Sequence, residues 1–238
     1  MRVVHKLGKM SLAGQGSDNF LLSNGLGGFA SLSAEPISKF QGVGFFSAHD
    51  YFKVIDALSP EGTDAVTELR QLFWAAERLR GRITESFFMP SRHNAFVYEL
   101  SEPSNVFVDL DCRKLFDFRQ FGRHYHIDEE ATDRLTVHYI KKTDRRENSS
   151  HDQLEYELWS AIAPDRFDYD RLGEWICRRY SYDSARKSAA ERHVYRALRF
   201  KGIKKLIFGF GKTKEAALAE VEFVAKNLEE LKAARQAE

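Results

Sequence analysis

Residues 18–33 read Asp-Asn-Phe-Leu-Leu-Ser-Asn-Gly-Leu-Gly-Gly-Phe-Ala-Ser-Leu-Ser. The stretch enters through Leu21-Leu22, turns at Ser23-Asn24-Gly25 and leaves through Phe29-Ala30-Ser31-Leu32. Gly25, Gly27 and Gly28 crowd the corner. Asn-Gly is a strong turn signal because both residues tolerate positive φ. Two further glycines leave backbone that can pass close to another group. The reading is strand, tight turn, strand. A phosphate cradle is disfavoured: the spacing is not G-x-G-x-x-G, no P-loop lysine follows, and the next residues alternate instead of opening a helix.

The alternation spreads outward from this corner. Val3-Val4, residues 40–46 and residues 51–58 read as strands, with a turn at Pro60-Glu61-Gly62. Residues 66–80 fit a helix or a strand, and 83–87 run extended toward Met89-Pro90. Period-two patterns mark 96–100, 106–110, 135–139 and 154–159. Glu102-Pro103-Ser104-Asn105 predicts a turn between two of these, and Lys201-Gly202 a turn between strands 194–200 and 204–210. The last stretch differs. Thr213 suits a helix cap, and Leu218, Val221, Val224, Leu228 and Leu231 recur at helical spacing. The expectation is a mostly β chain: a large antiparallel β-sandwich over 1–211, of supersandwich type, with a capping or linking helix over 212–238.

Composition narrows the class. The chain has 238 residues, 43% hydrophobic and 13% aromatic, including 19 Phe, which is enough for a bulky core. Lys+Arg 36 against Asp+Glu 35 gives +1, so no overall charge draws it to nucleic acid or an anionic membrane. Cys112 and Cys177 form neither a disulfide framework nor a zinc spacing, which suits a reducing compartment. With no secretory h-region and no membrane-length apolar run, the expected location is cytoplasmic.

Several constellations carry residue types suited to chemistry. His124-Tyr125-His126 puts two imidazoles on one face of a strand, the beginning of a metal site for a small β-barrel enzyme, but no third ligand block follows. Asp109 with Asp111, and Asp165 with Asp168 and Asp170, offer paired carboxylates of the kind glycosidases use, at a density any solvated face reaches. Trp74, Trp159, Trp175, Tyr180 and Tyr182 are candidate sugar-stacking rings. The run Arg178-Arg179-Tyr180-Ser181-Tyr182 mixes basic and aromatic residues; with acids nearby it reads as a salt-bridged segment, not a nucleic-acid strip. No complete catalytic set and no cofactor motif is seen.

The block Leu21–Ser31 resembles the opening signature of the N-terminal domain of archaeal and bacterial-type glycogen debranching enzymes (amylo-α-1,6-glucosidases). Phe87-Phe88-Met89-Pro90, Asn94–Tyr98, Asp117-Phe118-Arg119 and Gly211–Ala216 are similar to later blocks of that family, in the same order. Where the family carries Arg-Arg-Tyr-His-Gly, this chain has Ser38-Lys39-Phe40-Gln41-Gly42, and His124 and His126 are displaced from the family's Arg-x-x-His block. The resemblance implies a β-sandwich accessory module that supports a separate helical-barrel catalytic domain and contacts α-glucan, with the hydrolytic carboxylates on that barrel. Asn24, Gly25, Gly27, Gly28, Lys39, Phe40 and Arg119 are then the expected substrate-binding or domain-interface residues. The readings of another class are a stand-alone carbohydrate-binding protein and the His124/His126 metal enzyme.

Overall fold

The computed structural model describes residues 2–7, 10–14, 19–130, 133–143 and 153–237. Strands run in chain order as β1 (Arg2–Leu7), β2 (Met10–Gly14), β3 (Asn19–Ser23), β4 (Phe29–Ser33), β5 (Gly42–Ser47) and β6 (Asp50–Pro60). Next come β7 (Val66–Leu72), β8 (Ala75–Arg80), β9 (Ile83–Phe88), β10 (Ala95–Lys114) and β11 (Arg123–Glu130). β12 (Arg134–Lys142), β13 (Leu154–Pro164), β14 (Tyr169–Arg179), helix α1 (Ser181–Ala185), β15 (Glu191–Gly211) and helix α2 (Lys214–Ala237) complete the order. Residues 66–80, ambiguous by pattern, form two strands and not a helix. The chain is mostly β, and among the described residues its pairings are antiparallel except β1 with β7.

Two strands organise everything else. β10 and β15, of 20 and 21 residues, pair with each other almost throughout. The turns expected at 102–105 and 201–202 are therefore corrected: each lies inside one continuous strand. Turn-type residues make bulges as readily as reversals. Register shifts fall between Glu99 and Ser104 and between Ser104 and Val106. Pro103 has no amide to give the ladder, and Gly202 takes φ +58° while its amide donates to Asn105 Oδ1 at 3.0 Å.

The bulges bend both strands, so their two halves serve two layers. The first half of β10 pairs with β9 and the last part of β15 with β13. This first layer extends through β11 and β12 on one side and β8, β7, β1 and β2 on the other. The second half of β10 pairs with β6, the first part of β15 pairs with β14, and this second layer ends in β5, β4 and β3. The layers face each other across a dry aromatic core. Phe20 meets Phe87 at 5.2 Å, Phe45 stacks on Phe210 at 5.9 Å, and Tyr125 stacks on Tyr195 at 4.4 Å between ring centroids. Each pair joins strands that share no ladder, which is the mark of face-to-face packing.

The two outer faces are covered differently. On the first layer lies α2, whose buried Ala217, Val221, Val224 and Leu228 pack on Phe88, Ala95, Val97, Ala161 and Ile207. Thr213 caps it, its hydroxyl accepting the Ala216 amide at 3.2 Å. The helix sits so close that a Cβ on Gly209 would lie 2.3 Å from the Ala217 carbonyl oxygen. On the second layer the covering is the 34–41 segment and α1, tied by Tyr182 N to Ile37 O at 2.9 Å and by Asp183 to Ser38 and Lys39. Among the described residues no helix is long and apolar enough to cross a membrane.

Candidate functional site

The expected interface residues fall along one end of the sandwich. Asn24 is buried and fully engaged in building its own turn. Its Oδ1 accepts the Leu26 and Gly28 amides at 2.9 and 2.8 Å, and its Nδ2 donates to His93 O at 2.7 Å. Gly25 and Gly27 take φ +74° and +88°. The close approaches the glycines permit are internal: a Cβ on Gly28 would meet the Asn24 amide at 2.5 Å, and one on Gly27 would meet Phe46 at 2.9 Å. Phe46 in turn packs on Tyr51 at 4.8 Å, and Tyr51 lines a cleft of about 550 Å³.

Three segments wall this cleft: the β5–β6 turn, the loop after β10, and the start of β13. The turn places Ala48 and His49 at φ +50° and +68°. Two consecutive left-handed residues make the tight turn that matches strand twist, ordinarily an Asn-Gly position. The loop after β10 contributes Phe116, Asp117 and Arg119, and β13 contributes Glu155 and Tyr156. Arg119 is clamped from both sides. It donates to Asp117 through Nε and Nη2, both at 2.8 Å, and to Glu155 through Nη1 and Nη2 at 2.8 and 2.5 Å. Tyr156 donates to Asp117 Oδ2 at 2.9 Å. Burial pushes the Asp117 carboxyl up, but the hydrogen bonds from Arg119 and Tyr156 outweigh it and hold it at about 2. Burial also pushes the Tyr156 phenol up, with Tyr139 and Asp117 adding to it.

Above the cleft stands a rim of phenylalanines. Phe116 is 73% exposed, and Phe40 and Phe118 are also exposed. Phe40 meets Phe118 edge-on at 5.4 Å and Phe116 at 5.9 Å. The Lys39 ammonium lies 4.8 Å from the Phe118 ring centre, and the Arg113 guanidinium 5.0 Å. Lys39, Phe40 and Arg119 are thus brought together, and the glycine corner abuts them through Phe46 and Tyr51. Sequence reading missed Phe116, Tyr51, Glu155 and Tyr156. The signal was present in Phe116 and Phe118 set among charged residues, a composition that does not suit a core strand.

The other candidates lie elsewhere. His124 and His126 sit exposed on β11; the His126 ring is 6.2 Å from His138, which stacks on Trp159 and bonds Glu157 at 2.7 Å. Among the described residues no three His, Cys, Asp or Glu side chains converge as a metal site. Asp165 accepts the Lys204 and Lys205 amides, and Asp168 and Asp170 pair with Arg166, Arg199 and Lys201. Trp74 packs on Phe88, Trp159 on His138 and Trp175 beside Arg123, while Tyr180 is buried and Tyr182 lies beside Arg186.

Asp109 and Asp111 belong to a buried ion network on the outer face of the second layer. Val106, Val108, Leu110 and Cys112 of β10 face the core, so Asp109, Asp111 and Arg113 point away from it. Asp111 receives Arg113 at 2.8 Å, Arg192 at 2.7 Å, Arg123 at 2.9 Å and Lys53 at 3.5 Å. Asp56 pairs with Lys53 and Arg178 at 2.5 and 3.2 Å and accepts the Tyr180 hydroxyl at 2.8 Å. Arg178 and Arg196 share Asp109. The network reaches the rim: Lys53 and Arg113 both donate to the Lys39 carbonyl, at 3.2 and 2.5 Å.

No family model matches the sequence, and no curated protein sequence matches it. Among solved structures the chain is similar to a bacterial glucoamylase complexed with acarbose, with a TM-score of 0.36 and 9% sequence identity. The alignment covers 92% of this chain and 34% of that one, so the chain spans about a third of the glucoamylase's length.

Proposed function

We propose that this chain is a non-catalytic accessory module of a glycoside hydrolase of glycogen-debranching type. Its phenylalanine rim docks on a helical-barrel catalytic domain, and the cleft beneath the rim contacts α-glucan at the junction. The observation that carries this reading is the continuous exposed patch of Phe40, Phe116 and Phe118. Scattered exposed apolar residues are ordinary, whereas a contiguous ring-on-ring patch edged by charges has the make-up of a docking surface. The debranching-type sequence block Asp117-Phe118-Arg119 lies on the same face and supports this reading, while Lys39-Phe40 stands where the chain departs from that family's pattern. The cleft adds aromatic walls in Tyr51 and Phe116 and a planar Arg–carboxylate array, the usual means of holding a sugar's apolar face and hydroxyls.

Within this reading the cleft binds and does not cleave. Hydrolysis calls for one carboxylic acid kept protonated beside a second carboxylate. Asp117, held at about 2, is an ionised acceptor, and Arg119 holds it and Glu155 on one guanidinium. The test is affinity electrophoresis in glycogen and pullulan gels, alongside size-exclusion chromatography with a debranching-type helical-barrel domain. Wild type is retarded and co-elutes; Phe116→Asp with Phe118→Asp abolishes co-elution, and Arg119→Ala abolishes retardation. A wild-type chain that neither slows in the gels nor binds the barrel domain would sink the proposal.

A further inference from the structure

The buried network on the second layer has too few carboxylates for its cations. Among the described residues Lys53, Arg113, Arg123, Arg178 and Arg192 converge on Asp56, Asp109 and Asp111, five cations on three anions, and Arg196, which also meets Asp109, has Glu174 opposite it. The imbalance peaks at Asp111, where four cations meet one carboxylate. All four side chains are at most 2% exposed, so water does not screen them. Uncompensated charge in such surroundings is strongly unfavourable. Arg178 and Arg192 also stand directly opposite each other on β14 and β15, an arrangement that repels unless an anion lies near both.

Among the described residues of this cluster, Arg123 leaves Nε without an acceptor, and Arg192 leaves two nitrogens. Arg113 gives its terminal nitrogens to the carbonyls of Lys39, Lys114 and Leu115. Arg123 gives its own to His193 O, Tyr125 and Asp111. Arg192 uses only Nε, which donates to both oxygens of Asp111 at 2.7 and 2.8 Å. Its Nη1 and Nη2 are buried and meet no acceptor among the described residues. A guanidinium anchored through Nε with both terminal nitrogens buried and unpaired carries the two parallel donors that grip two oxygens of one anion.

We propose that Arg192 holds a small tetrahedral oxyanion of the phosphate or sulfate class, set against the excess positive charge of the Asp111 cluster. The anion supplies the counter-charge the chain lacks and so stiffens the network that fixes the Lys39 carbonyl. Melting of the intact chain in sodium phosphate, sodium sulfate and sodium chloride at matched ionic strength tests this. The expected result is a saturable rise with phosphate and sulfate, roughly 5–10 °C at one hundred times Kd, and none with chloride. Arg192→Lys and Arg192→Gln lose the saturable rise, while Arg171→Gln, an exposed arginine elsewhere on β14, keeps it. Should Arg192→Gln fail to fold, line broadening of inorganic phosphate in ³¹P NMR with wild-type protein, reversed by sulfate, decides the matter. Equal shifts with chloride, an undiminished response in Arg192→Gln, or no broadening would overturn the proposal. None of these readouts involves glucan or a partner domain, so their failure is separable from failure of the docking face.

Discussion

The two outer faces of the sandwich meet the same requirement in opposite ways. The first layer hides its outer face under an amphipathic helix mainly by apolar contact, each buried Val or Leu side chain worth roughly 1.5–3 kcal/mol, with ion pairs such as Lys214–Glu130 and Lys232–Glu99 at its partly exposed edges. The second layer hides its outer face under a short segment and a single helical turn, and the glue is ionic. Apolar contact is forgiving, because it has no direction. A buried ion network is demanding, because every member needs its partners in place. The demanding face is the one next to the rim, where the backbone of Lys39 is held by two cations at once.

The largest effect expected from breaking this contrast is at Asp111. Asp111→Asn strands four buried cations and should cost about 3–5 kcal/mol, a drop on the order of 10 °C in melting temperature. Leu228→Ala in the helix comes next, at roughly 2–3 kcal/mol by chemical denaturation, since it removes apolar contact and leaves a void. If the helix variant proves the more damaging, the ranking of the two faces is reversed. Gly209→Val sharpens the contrast: hydrogen exchange should rise across α2 while amides near Asp111 stay protected.

A pH titration separates the faces more finely. Burial lowers the Lys53 ammonium below its usual range, against the pull of Asp56 and Asp111. The unfolded chain therefore binds more protons at this group than the folded one between the lowered value and the ordinary 10.5. Stability from this group should climb with pH through that window, and Lys53→Met should remove the climb relative to wild type. Asp111 works in the same direction, but in the acid range. Burial pushes it up, but Arg113, Lys53, Arg192 and Arg123 together hold it well below its usual range. Its contribution is in place above the ordinary carboxylate value and fades as acid takes the pH down through the depressed one. The smallest effect is at Arg119, whose side chain is 47% exposed: Arg119→Ala should cost less than about 1 kcal/mol in stability while abolishing glucan retardation.

Much of the architecture was legible in the alternation of residues. The glycine corner, the strand pairs either side of it and the terminal helix all follow from local pattern. What local pattern misassigned were the centres of β10 and β15. Glu-Pro-Ser-Asn and Lys-Gly carry turn chemistry, and only the pairing partners decide whether such residues reverse a strand or bend it. The site was legible in part. Lys39, Phe40 and Arg119 were named through a resemblance, and they do lie together. Phe116 was not named, because a phenylalanine count does not say which rings stay wet. The ion network was illegible for a related reason: Lys53, Asp111, Arg123 and Arg192 are far apart in sequence, and each alone looks like an ordinary surface charge.

The long shared strands have a consequence for how the molecule comes apart. Because β10 and β15 each thread both layers, there is no seam along which one sheet can be peeled from the other with its backbone ladder intact. A protease nick or an inserted segment near Asn105 or Gly202 would injure both halves at once, so these kinks are where the chain should be least forgiving of being interrupted.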